Sequence, residues 1–282
     1  MSYQPSPLRL QREEARRLAS RRSTWLALLS TVVVGVILIL VVTGSPGFAR
    51  VRETFFSAHY AWKALPQVLS GLWLNLRVML IAEIFVLIFG LLIALARTTK
   101  SPVLLPVRLL AAAYTDIFRG LPLLLVLLLV GLGIPGLQIS WLPNSAVLLG
   151  TVSLVLTYSA YVAEVIRAGI EAVNPAQRMA ARALGFTQTQ TQRFVILPQA
   201  LRKVTPPLLN DLVSLQKDSG LISVLGAIDA IRAAGIQTAQ SFNFTPYLVA
   251  GALFVALTIP LTRFTDWLTR RQDRARQQQG QW

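Results

Sequence analysis

Apolar residues along this chain gather into long runs separated by short polar and basic stretches, a pattern that fits bilayer-crossing helices. A bilayer core about 30 Å thick needs about 20 mostly apolar residues in helical form. Six segments approach that length: Trp25–Thr43, Leu69–Ala96, Leu121–Leu137, Ser145–Ile166, Leu201–Leu225 and Tyr247–Leu268. The third is short unless it draws on Pro106–Phe118, and the fifth is interrupted by Pro206, Pro207 and Asp211. The expected fold is all-α and polytopic, with about six transmembrane helices. The chain divides into a basic tail (1–24), a first helix (25–43), an outer segment (44–68), a membrane core (69–268) with an inner loop at 174–198, and a second basic tail (269–282).

Composition agrees: of 282 residues, 54% are hydrophobic and 14% charged, against about 25% charged in soluble domains. The net charge of +15 is explained by topology. With an inside N-terminus, the inner segments hold twenty Lys and Arg, among them Arg97, Lys100, Arg108, Arg193, Arg202, Lys203 and Arg263, and the outer segments hold Arg50, Arg52, Lys63 and Arg232. Basic residues flank membrane spans on the cytoplasmic side, so both termini are placed inside. The basic excess then neighbours anionic lipid headgroups, and nucleic acid is not expected as a partner. The first run follows a polar stretch of more than 20 residues and is as long as a true span, so it reads as a signal-anchor helix. Trp25, Trp73, Trp141 and Trp267 fall at span ends, as an aromatic belt does. The chain has no cysteine and one histidine, His59, expected in solvent. That excludes thiol chemistry and disulfides and leaves no histidine-based metal site. No internal repeat of the kind found in inverted-repeat transporters is visible.

The inner loop from Asn174 to Pro198 reads as a helix with its own start and stop. Asn174 is an N-cap residue, Pro175 suits the first helical position, and Gln177 stands at the capping-box position. Gly185 provides the C-terminal break. Ala180, Ala181 and Ala183 form a small-residue face that lets another backbone approach. Arg178 and Arg182, four apart, share a neighbouring face able to meet acidic or carbonyl groups. Two readings stand: a docking knob for a cytoplasmic partner, or a surface turn.

Here the chain resembles the permease subunits of ABC importers, in particular the polar amino-acid (histidine, glutamine and glutamate type) branch. Ala180-Ala181, Gly185 and Ile196-Leu197-Pro198 match that family's EAA loop. Tyr114 with Phe118-Arg119-Gly120-Leu121-Pro122, Tyr161 with Glu164, Arg167 and Gly169, and Lys217-Asp218-Ser219 match three further patterns in order. The resemblance covers about 69–268 and implies a five-helix type I importer core plus one N-terminal helix. Met179 stands where the family has Glu, Ala176 where it usually has Gly, and Gly220 where it usually has Ser. The Glu helps fix the loop against the ATPase, whereas the small-residue face is kept here.

The resemblance implies a permease in the bacterial cytoplasmic (inner) membrane that moves a polar amino acid inward. It implies a loop (Ala176, Gln177, Arg178, Met179, Ala180, Ala181, Arg182, Gly185 and Pro198) that couples to an ABC ATPase present in two copies. Its other partners are a second permease subunit, identical or similar, and an extracytoplasmic solute-binding protein. No cofactor is expected on this chain, since none of its four lysines sits in a phosphate-binding G-x-x-x-x-G-K-[ST] loop. ATP and Mg belong to the ATPase, and the chain is not expected to be an enzyme. Tyr161, Glu164 and Arg167 are expected to brace the loop.

Polar residues inside spans are costly and mark function by default. Glu83 lies mid-span and reads either as a pathway residue or as a helix contact, with Arg77 as a partner. Asn210 and Lys217 share a helix face, and Asp211 and Asp218 repeat that spacing one position along. They read as a pathway or gate edge, or as an internal ion-pair network. Arg119 reads as a gate residue or as a side chain reaching lipid phosphate. Alternatives to the amino-acid permease are a permease of the same architecture for another small polar solute such as an opine, a stand-alone ion-coupled transporter, and a membrane enzyme or scaffold.

Overall fold

The computed structural model describes residues 7–99 and 101–279, with side chains for 23–99 and 101–271. Lys100 and the side chains of the tail arginines Arg9–Arg22, Arg274 and Arg276 lie outside them. The chain forms two compact units, 1–56 and 57–282. The first contains α1 (Pro7–Thr43), which continues without a break from the basic tail into the first apolar run, and α2 (Phe48–Phe55). Ile37, Leu40 and their apolar neighbours on α1 are exposed, as on a helix that faces lipid.

The second unit holds α3 (Ala58–Thr98), α4 (Leu105–Gly120), α5 (Leu123–Gly131), α6 (Gly133–Gly136) and α7 (Ala146–Glu171). After α7 come α8 (Pro175–Ala183), α9 (Gln188–Thr191), α10 (Leu197–Asp218), α11 (Ala230–Ser241) and α12 (Thr245–Gln279). No strand occurs among the described residues. Among the described residues four helices are long and apolar enough to cross a membrane, and the number is six if each of two bent pairs is one span. This agrees with the all-α, polytopic expectation, although two spans differ from their predicted form.

The predicted span Leu121–Leu137 is not one helix. Pro122 has no N–H and forces the residue before it out of the helical region. Leu121 accordingly takes ψ 136°, and α4 ends at Gly120. The chain then bends by 106° between the α4 segment and the α5–α6 segment. The fifth predicted span, Leu201–Leu225, is both longer and broken. α10 runs straight through Pro206 and Pro207 and ends at Asp218, followed by a 3₁₀ turn over Ser219–Leu225. Gly226, at φ +90°, ends the 3₁₀ turn, the chain bends by 49°, and α11 begins after the N-cap Asp229, whose Oδ1 accepts from Arg232 N. The sequence reading placed no helix at 230–241.

α3 starts well before the predicted Leu69 and continues through Pro66. At about 1.5 Å per residue it is roughly twice the thickness of a bilayer core. One stripe of it is buried (Ala64, Val68, Leu72, Val78, Ala82, Val86), while Leu80, Ile84, Ile88 and Leu92 on other faces are exposed. The main core joins Val78, Met79 and Ala82 of α3 to Leu127 of α5, Leu154, Tyr158 and Val162 of α7, and Leu215 of α10. A second core is nearly all small residues: Ala64 and Val68 of α3, Ala230, Ala233 and Ala234 of α11, and Ala250 of α12. Small side chains let backbones approach, which is how helices associate where lipid supplies no hydrophobic drive. Gly71 shows the limit, since a Cβ there would lie 2.4 Å from Ala230 N. Next to it, Asn75 Nδ2 donates to Ser219 O (2.9 Å) and Asp229 Oδ2 (3.0 Å), and Asn75 Oδ1 accepts from Ala230 N (3.1 Å). One buried side chain thus ties α3 to the break between the 3₁₀ turn and α11.

Candidate functional site: a loop helix, its brace and an intramembrane acidic group

The loop helix forms where the sequence places it. Asn174 Oδ1 accepts from Ala176 N at 2.9 Å, and Pro175 opens α8. Gln177 N turns to the Asn174 carbonyl, and the capping box forms one helix later, between Thr187 and Gln190 at the start of α9. Gly185, at φ +85°, ends α8 in the left-handed region that favours glycine. Phe186 N bonds Ala181 O (3.1 Å) and Gly185 N bonds Arg182 O (3.0 Å), the paired closure of a Schellman motif. A π turn over Gln192–Ile196 then leads into α10, where Pro198 lies in the first turn and is exposed.

The small-residue face divides on folding. Ala181 is buried, whereas Ala176, Gln177, Ala180 and Ala183 are exposed. Met179 is 66% and Leu184 79% exposed, so α8 presents two large apolar side chains beside its alanines. The arginines separate too. Arg182 donates to Phe186 O at 3.1 Å, while Arg178 is half-buried and lines a cavity behind the helix.

Behind α8, Glu164 of α7 collects three arginines from three helices. Arg167 donates to it at 2.6 Å and 3.0 Å, Arg97 at the end of α3 at 2.7 Å, and Arg119 at the end of α4 lies at 3.8 Å. Arg167 also pairs with Glu171 at 2.5 Å. Lys203 of α10 donates to Ala172 O, capping the end of α7. A Cβ on Gly169 would overlap Val204, so that glycine lets α10 lie against α7. Arg97 was missed as a partner because its position in a basic span-end cluster reads as topology alone. Arg119 lies near a protein carboxylate while its side chain stays 41% exposed, a partner that neither sequence reading named. Tyr161 meets Tyr158 edge-on, with ring centroids 5.8 Å apart, rather than joining the Glu164 cluster.

Deeper in the bundle lie Glu83 of α3 and Asp211 and Asp218 of α10, all partly buried. Glu83 and Asp211 are within electrostatic reach of each other, and Asp211 is within reach of Tyr158. The Tyr158 hydroxyl donates to Asp218 Oδ2 at 2.7 Å. Asp211 Oδ2 is buried with no hydrogen-bond partner. Arg77, the partner considered for Glu83, lies over the Trp73 ring at 5.8 Å. The edge read from α10 therefore splits: Asp211 and Asp218 turn inward to α7 and α3, whereas Asn210 and Lys217 are exposed on the other side. Asn75 and Asp229, absent from the predicted set, were legible in part. Asn75 is a polar residue within an apolar run, the signal that picked out Glu83, and Asp229 precedes a run of helix formers as an N-cap does.

No ligating group of three or more His, Asp or Glu exists among the described residues. Residues 87–274 match the family of binding-protein-dependent transport system inner membrane components. A putative glutamine transport system permease protein of Rickettsia conorii is 38% identical over 193 residues, covering 68% of this chain and 86% of that protein. An arginine transport system permease protein of Bacillus subtilis is 34% identical over 204 residues, covering 70% and 89%. A solved amino acid ABC transporter with histidines is 36% identical, with TM-score 0.68 over 74% of this chain and 95% of that one. A methionine ABC transporter in inward-facing conformations, 21% identical with TM-score 0.61, shares the fold. The chain belongs to this family of inner membrane components, in its branch of amino-acid ABC importer permeases.

Proposed function

We propose that this permease moves a polar amino acid inward across the cytoplasmic membrane, driven by a separate ABC ATPase that docks on α8 and fed by a solute-binding protein outside. Both termini and α8 then face the cytoplasm, ATP and Mg stay on the ATPase, and the chain carries no catalysis of its own. A second permease subunit, identical or similar, completes the pathway. The observation that carries the reading is α8 itself: a nine-residue helix, capped at both ends, that holds Met179 and Leu184 in solvent. Exposed apolar side chains on a rigid knob are what a partner groove buries.

The mechanism follows from how the knob is mounted. Glu164, through Arg97, Arg119 and Arg167, joins the ends of α3, α4 and α7. α8 leaves α7 only four residues after Glu171. A displacement of α8 by the ATPases is therefore passed to three helices as a rigid-body shift rather than absorbed in a loop. Glu83, Asp211 and Asp218, with Asn210 and Lys217 on the exposed edge of α10, are the pathway or gate residues. An unpartnered carboxylate oxygen deep in the bundle suits the ammonium group of an amino-acid solute.

The test uses the chain in nanodiscs with its neighbouring ATPase and any partner permease. ATP hydrolysis is recorded with the solute-binding protein loaded with each of the twenty amino acids in turn. Stimulation at least several-fold by one or a few loaded forms is expected; a stable complex that answers none of them contradicts the amino-acid reading. Gly185→Val forces a β-branched residue to φ +85° and should abolish stimulation while membrane insertion persists. Unchanged stimulation would remove the docking role from α8.

A further inference from the structure

A cavity of about 890 Å³ lies between the end of α3, α4, the end of α7 and the segment 188–197, apart from the acidic group. Its polar wall carries Arg97, Arg108, Arg178 and Arg193, with Glu171 the one acid among its lining residues. Arg97 is already paired with Glu164, and Glu171 with Arg167. Arg108, Arg178 and Arg193 are left on one cavity with no carboxylate partner among the described residues. Arg108 reaches only Thr99 O, at 3.4 Å, and Arg193 lies over the Phe194 ring at 5.7 Å. Neither contact offsets a charge. The other wall is apolar: Val173 and Ile196 are buried at its base, and Leu95 and Leu197, 51% and 47% exposed, carry it to the outside of the helices.

We propose that this cavity seats the headgroup of an anionic phospholipid, its phosphate between Arg108 and Arg193 and its acyl chains along Leu95 and Leu197. Guanidinium forks match phosphate oxygens in geometry as well as charge, and basic pockets between helix ends are where such headgroups bind. A free phosphate would satisfy the arginines and leave the apolar wall unused, which is why the lipid is the occupant. Pro175 and Arg178 of α8 also line the cavity, so a seated lipid ties the loop helix to α3 and α4. The inference needs only a membrane-embedded chain and does not depend on the transport reading above.

The full chain in neutral detergent is titrated with phosphatidylglycerol or phosphatidylcholine, and bound lipid is counted by native mass spectrometry. At least a tenfold preference for phosphatidylglycerol is expected. Arg108→Gln with Arg193→Gln should reduce that preference at least fivefold, whereas Arg263→Gln with Arg270→Gln on α12 should change it less than twofold. Should the first pair fail to fold, each single substitution should still reduce the preference at least twofold. A preference that survives neutralisation of Arg108 and Arg193 overturns the proposal. So does displacement of the lipid by millimolar inorganic phosphate, which would make this a free-anion site. Loss of the lipid when the purified ATPase is added, with ATPase binding itself abolished by the same substitutions, would assign the cavity to protein docking and overturn it as well.

Discussion

Glu164 and Asp211 are both carboxylates on core helices, yet their surroundings differ in every respect. Glu164 receives guanidinium groups from three helices within 3.8 Å. Asp211 has a buried oxygen with no partner and a second carboxylate, Glu83, within electrostatic reach. A buried charge is tolerated when paired and expensive when not. The first arrangement is therefore a frame that stability maintains, and the second is a cost that folding alone does not explain. Satisfied polar groups fix helix positions, and the proposed pathway role of Asp211 rests on its being the one carboxylate among the unpartnered buried side chains of the described residues.

Four substitutions sharpen that division, all read by thermal unfolding of the purified chain. Gly71→Val should act most strongly, because the added Cβ meets backbone at Ala230 rather than a side chain that can turn away. A loss of about 3 kcal/mol or more is expected, and a melting temperature within a degree of wild type would show that α11 can retreat freely. Asn75→Ala removes bonds to Ser219, Asp229 and Ala230 and leaves buried groups unpaired, costing about 2–3 kcal/mol. Glu164→Gln should cost about 1–2 kcal/mol, less because its arginine partners are partly solvated. A loss as large as that of Asn75→Ala would mean that the brace, not the α3–α11 tie, dominates the frame. Asp211→Asn belongs to the other class: stability should hold within about 0.5 kcal/mol or rise, since a neutral amide is cheaper to bury than an unpaired charge.

Much of this was legible in the sequence because bilayer physics restricts the menu of structures. Apolar length gave the spans, Asn174, Pro175 and Gly185 gave α8 nearly to the residue, and the order of motifs gave the family. What escaped was whatever depends on where helices meet. Pro122 bends the third span through a sharp angle, yet Pro206 and Pro207 leave α10 continuous. The same residue type has opposite outcomes: Pro122 precedes α5 at a point where Leu121 has already left the helical region, whereas Pro206 and Pro207 lie inside an unbroken α10. α11 was missed because its alanines and Thr238 carry too little hydropathy for a span and are buried by small-residue packing instead. The split of Asn210 and Lys217 from Asp211 and Asp218 follows the helical period. The depth of each, and the convergence of Arg97 and Arg119 on Glu164, required the tertiary structure.

The most direct test sets Glu164→Gln beside Asp211→Asn in the reconstituted complex, measuring melting temperature and ATP hydrolysis stimulated by the loaded binding protein. Glu164→Gln should lower the melting temperature, and Asp211→Asn should keep it while losing at least tenfold of the solute-dependent stimulation. An Asp211→Asn complex that is destabilised yet fully stimulated would contradict the account, because it would make Asp211 part of the frame and leave the pathway elsewhere.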